Sequence, residues 1–91
     1  MIDPYQSLAV KRLKKAKGQI EGLIRMVEKG QYCPEILTQV LALQGAIKKM
    51  APLILESHLH TCGAEHLASS DPAKKEKFIR ELVKICELSS R

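Results

Sequence analysis

From Leu8 to Val27 the apolar residues Leu8, Leu13, Ala16, Ile20, Leu23, Ile24 and Val27 fall on helical spacing, and Lys11, Arg12, Lys14, Lys15 and Lys17 fill the positions between them. That period predicts an amphipathic helix with a strongly basic outer face. Gly18 and Gly22 interrupt it, each at about 1 kcal/mol relative to Ala. Either the helix is weakened there or a neighbouring backbone uses the missing Cβ to pack closely. The run Gly30-Gln31-Tyr32-Cys33-Pro34 ends this helix and begins the next, with Gly30 suited to the position after a helix C-terminus and Pro34 to a first turn. So short a connection predicts an antiparallel hairpin.

The second pattern, Ile36, Leu37, Val40, Leu41, Leu43, Ile47, Met50, Ile54 and Leu59, runs at least to Cys62 and is expected to be the longest helix. Pro52 inside it lacks an amide donor and crowds the carbonyl of residue 48, so a kink or short interruption is expected at Lys48–Ala51. Asp71-Pro72 is a start signal for a short third helix, which would turn Phe78, Ile79, Leu82, Val83, Ile85 and Cys86 inward. No stretch alternates apolar and polar residues over strand length. The expected fold is all-α: a three-helix protomer with a long antiparallel helical hairpin and a short third helix, assembling into a dimer or tetramer of four-helix-bundle character.

Length refines this picture, because 91 residues leave room for a single domain, 1–91. The chain has one Phe, two Tyr and no Trp, so its apolar mass is Leu, Ile, Val, Ala and Met, which suits long helices and oligomerisation. No apolar run approaches the roughly 20 residues that span a bilayer. The start, Met1-Ile2-Asp3-Pro4-Tyr5, lacks the basic-then-apolar pattern of a secretory signal. A cytoplasmic protein without membrane partners is expected. No grouping of nucleophile, base and electrophile emerges, so an enzyme is not.

Three cysteines, at 33, 62 and 86, make neither an even disulfide framework nor a CxxC pair. Cys33, His58 and Cys62 combine two thiols with an imidazole, the donor set that favours Cu(I) or Zn(II) over Mg(II) or Ca(II). His58 and Cys62, four apart, share one helix face. Cys33 begins the same helical pattern, and at 1.5 Å per residue a straight helix would put it roughly 40 Å from Cys62. It could meet them only across two antiparallel subunits, giving two equivalent sites. Each residue also has an ordinary reading: Cys33 as a small apolar residue at a helix start, Cys62 as a buried thiol, His58 as a surface histidine. His66, one turn beyond Cys62, is a possible fourth or substitute ligand, His60 faces elsewhere, and Cys86 reads as core.

The formal charge of +5 is concentrated on the first helix, with Arg25 and Lys29 further along and a second patch at Lys48 and Lys49. Nucleic-acid phosphates are the natural partner of such faces, though a solvated basic face explains the same residues. No known base-reading motif is visible, so phosphate contact and DNA shape would carry recognition.

The stretch from Arg12 to Glu28, RLKKAKGQIEGLIRMVE, followed by Tyr32-Cys33, resembles the copper-sensitive operon repressor family over almost the whole chain. The resemblance implies an all-helical bacterial repressor that forms dimers and tetramers. It also implies a Cys, His, Cys set for Cu(I) that bridges two subunits, which Cys33, His58 and Cys62 match. Nickel and cobalt sensors of the family carry an additional N-terminal His where Asp3 stands here, formaldehyde sensors lack the final Cys, and persulfide sensors lack the His. By the same resemblance Arg12 would contact operator DNA and Lys49 stands where copper sensors often carry Arg, and from the basic faces Lys15 and Lys48 are expected to join them. A Tyr beside the first ligand and a Glu on the third helix would support the imidazole from behind. Tyr32 matches the first, and Glu76 and Glu81 are both candidates for the second.

The expected function is a repressor that binds operator DNA when metal-free and is released when Cu(I) binds. The alternatives are a repressor of the same fold that responds to thiol modification, persulfide or another metal, or a helical partner-binding protein with incidental cysteines.

Overall fold

The computed structural model describes residues 1–89, apart from the side chains of Cys62 and Ser89. Its regular elements are all helical: α1 (Tyr5–Glu28), α2 (Cys33–Lys48), α3 (Met50–His58), a π-helical turn (Leu59–Gly63), α4 (Ala64–Ala68) and α5 (Pro72–Ser89). They belong to two compact units, one comprising Met1–Ser57 and the other beginning at His58.

In the first unit the hairpin turn forms as the sequence dictates. Gly30 takes φ +65°, a conformation that costs an L side chain dearly. Its amide donates to the Val27 carbonyl at 3.0 Å, and the Gln31 amide donates to the Met26 carbonyl at 3.1 Å, satisfying two carbonyls that the end of α1 would leave open. The chain then returns antiparallel to α1. Ile24 and Val27 share a groove with Ile36 and Val40 near the turn, and Arg12 shares one with Lys49 further along. Ala9 packs with Met50 and Leu53, and at the far end the Ile2 amide donates to Ser57 Oγ at 3.3 Å.

The predicted interruption falls at Lys49, between α2 and α3. Pro52 thereby becomes the third residue of α3, where a helix has no partner for the amide that proline lacks. The second pattern is therefore a bent succession of segments, and the longest uninterrupted helix is α1, at 24 residues.

The hairpin covers only part of the apolar stripe. Ala9, Ala16, Met50 and Leu53 are buried, the two alanines allowing close approach of the helices, whereas Leu13, Ile20, Ile24 and Val27 remain about half exposed or more, as do Leu37 and Leu41. One antiparallel neighbour shields one side of a helix, and this stripe is wider than that side. Gly18 and Gly22 also go unused within the chain: a Cβ at Gly18 would meet open space, and one at Gly22 only the Arg25 guanidinium at 3.7 Å.

In the second unit Asp71 caps α5, its Oδ1 accepting the Ala73 amide at 2.9 Å. The helix runs 18 residues. Of the residues expected to face inward, Phe78 is buried and Leu82 half-buried, whereas Ile79, Val83, Ile85 and Cys86 are exposed. The core placement of Cys86 is thus corrected: the short α4 covers only a narrow strip of α5.

Candidate metal centre and nucleic-acid interface

His58 closes α3, and the backbone of Cys62 lies in the π turn that follows. Gly63 ends that turn in a space that a side chain could enter only by displacing its neighbours. A Cβ there would stand 2.9 Å from Phe78 Cζ and 3.0 Å from the His58 carbonyl oxygen. Phe78 fills the gap and packs against two imidazoles: His58 at 5.6 Å between ring centroids with planes inclined by 43°, and His66 at 6.0 Å and nearly parallel. His60 is exposed. The spacing rules that singled out His58 and His66 gave no hint that one phenyl ring joins them, since Phe78 lies on a different helix. Gly63→Ala is expected to lower stability by about 1–3 kcal/mol, the range for overpacking, read as a lower urea midpoint at unchanged helix content.

Cys33 is the exposed first residue of α2, with the exposed Tyr32 immediately before it. It lies just beyond the C-terminal end of α1, whereas Ser57 is tied to Ile2 ahead of the N-terminal end. The 24 residues of α1 separate those ends by about 36 Å at 1.5 Å per residue. His58 follows Ser57 by one peptide bond. Among the described residues, no three His, Cys, Asp or Glu side chains gather within one chain as a metal cluster. The Cys62 side chain, part of the predicted ligand set, lies outside the described residues. On α5, Glu76 accepts a hydrogen bond from Arg80 Nε at 3.0 Å and Glu81 is exposed; among the described residues neither is hydrogen-bonded to His58.

Three of the four predicted DNA-contacting residues come together. Arg12 and Lys15 from α1 and Lys49 from the α2–α3 junction line one groove of about 490 Å³ with Gln19, Leu41, Ala42, Gly45 and Ala46, and Lys48 does not line it. The antiparallel register does this by bringing residues some 37 positions apart opposite one another. Sequence reasoning missed Gln19, whose Oε1 is buried and has no hydrogen-bond partner among the described residues. The small surfaces of Gly45 and Ala46 keep the groove open between the cations.

The pattern that distinguishes metal-sensitive transcriptional repressors is matched by residues 5–87, through both units. The chain belongs to that family. Members of it are non-catalytic regulators of transcription, so this repressor is not an enzyme. It is 42% identical over 74 residues to the copper-sensing transcriptional repressor CsoR of Bacillus subtilis, an alignment covering 81% of this chain and 70% of that one. Its fold is similar to that of the Cu(I)-containing crystal structure of the copper-sensing repressor CsoR from Geobacillus thermodenitrificans. The TM-score is 0.84 at 30% identity, covering 100% of this repressor and 92% of the other chain. It is also similar to a variant of the formaldehyde-responsive regulator FrmR from Salmonella enterica serovar Typhimurium, with TM-score 0.77, 26% identity and 97% of each chain covered. The all-α fold with a long bent helix agrees with the sequence-based expectation. No helix among the described residues is long and apolar enough to cross a membrane.

Proposed function

We propose that this chain is a copper(I)-responsive repressor, acting in the cytoplasm as a single domain over 1–91, that holds operator DNA when metal-free and releases it when Cu(I) binds. The observation that carries this reading is the placement of Cys33 and Ser57 toward opposite ends of α1. With His58 directly after Ser57, the thiol of Cys33 and the donors His58 and Cys62 would serve one ion only if a second copy supplied part of the set. The donor chemistry fits a soft monovalent ion. The half-exposed stripe of Leu13, Ile20, Ile24 and Val27 supplies the apolar surface for such a homodimer, or for a tetramer.

Each residue then has a task. Cys33 would offer its thiolate from the exposed start of α2, and in the partner copy His58 would offer its imidazole from the end of α3 and Cys62 its thiolate from the π turn that follows. Tyr32, and Glu76 or Glu81, would hydrogen-bond the ring nitrogen of His58 that the ion leaves free. Arg12, Lys15 and Lys49, with Lys48 nearby, neutralise operator phosphates. Held by Cys33 of one copy and by His58 and Cys62 of the other, Cu(I) would link the two subunits and so couple metal binding to the arrangement of their basic grooves. By reciprocity, whatever Cu(I) does to DNA affinity, DNA does to Cu(I) affinity.

The test is the affinity for a duplex from the promoter of the protein's own transcription unit, measured anaerobically with and without Cu(I). Wild type is expected to lose DNA affinity at least 10-fold with Cu(I), equivalent to about 1.4 kcal/mol of coupling. His58→Ala is expected to bind DNA normally and keep little of that response. Equal responses in the two proteins would refute the role of His58.

The exposure of Cys33 and the likeness to a formaldehyde-responsive regulator favour one second reading, a repressor switched by modification of this thiol. Loss of DNA binding on thiol modification, in a protein that takes up no copper, would select it.

A further inference from the structure

Phe78 is the only phenylalanine of the chain and is 2% exposed. Its ring occupies the space left by the missing Cβ of Gly63, the residue after Cys62, and lies against the imidazole of His58 at 5.6 Å. The ring of His66 rests on it with planes within 7° of parallel. A phenyl ring fixed by backbone and a second aromatic ring is a rigid wall. An imidazole at the end of a helix turns about two side-chain torsions, and only one of its orientations aims a given nitrogen at a fixed point. A rigid wall removes the other orientations before any ion arrives.

We propose that Phe78 is a positioning residue for the His58 imidazole, and that Gly63 is the gap that admits it. The inference rests on the reading of His58 as a ligand given above. It gives a role to the missing Cβ of the residue following Cys62, and to the burial of Phe78 on α5 while Ile79, Val83 and Ile85 stay exposed. His66 on this view braces Phe78 and is not drawn to the ion.

The test uses the full-length, metal-free protein with isotope-labelled histidine and phenylalanine. Wild type is expected to show nuclear Overhauser contacts between the Phe78 ring protons and those of both His58 and His66. In Phe78→Leu, which keeps an apolar filler but no ring, the His58 ring signals are expected to move and helix content to stay unchanged. Cu(I) affinity, measured by competition with a chromophoric chelator, is expected to fall about 10-fold, the lower end for residues that orient a metal ligand.

Absence of the wild-type contacts between Phe78 and His58 overturns the proposal, and this measurement stands even if Phe78→Leu does not fold. A folded Phe78→Leu with unchanged Cu(I) affinity, alongside a His58→Ala variant that binds Cu(I) weakly, also overturns it and leaves the ligand reading intact. If His58→Ala binds Cu(I) as wild type does, the ligand reading falls and the positioning role falls with it.

Discussion

Mixing Cys33→Ser and Cys62→Ser chains in equal amounts is expected to restore tight Cu(I) binding that neither variant has alone. In a homodimer of either variant every site lacks one sulfur. In the mixed dimer one site lacks both sulfurs, and the other combines Cys33 of one chain with His58 and Cys62 of its partner. Random pairing makes about half the dimers mixed, each with one complete site of two, so about a quarter of the wild-type tight-binding capacity should return. A site within one chain would restore none. Each variant alone should lose Cu(I) affinity by about 100-fold or more, since a thiolate is the strongest donor available to this soft ion. The expectation follows from the first unit, where α1 separates Cys33 from Ser57 by its own length. Chelator competition on the two variants and their refolded mixture measures it.

The second large effect is expected at the basic groove. Arg12→Ala combined with Lys49→Ala should weaken operator binding by at least about 100-fold at low salt while Cu(I) affinity stays at the wild-type value. Each cation that neutralises a phosphate contributes about 0.9 to the slope of log K against log salt concentration. Removing two from each protomer of a dimer should therefore flatten that slope by roughly 4. Lys48→Ala is the internal control, because Lys48 neighbours Lys49 in sequence but does not line the groove. Its effect should be clearly smaller than that of Lys49→Ala. Fluorescence anisotropy across a salt series reads both quantities, and an unchanged slope in the double variant would remove Arg12 and Lys49 from the DNA interface.

The features that short stretches of sequence determine formed where the residues placed them. Gly30 set the turn because only a residue without Cβ adopts its backbone angle cheaply. Asp71 and Pro72 set the start of α5, and Pro52 set the break at Lys49, because each acts on amides within one helical turn. The predicted ligand residues were legible as chemistry, since the affinity of thiols and imidazole for soft ions belongs to the side chains themselves.

Tertiary structure decided what depends on register between distant segments. It selected Ala9 and Ala16 for the hairpin seam and left Leu13, Ile20 and Ile24 outward, although all lie in the same basic helix. It joined Arg12 and Lys15 to Lys49 and excluded Lys48, a choice that one-dimensional charge patterning does not contain. It set Phe78 into the gap at Gly63 beside His58, a match of shape between two helices. Period and capping are local energies of a few neighbouring groups, whereas a groove or an aromatic wall exists only once antiparallel helices have fixed which residues stand opposite one another.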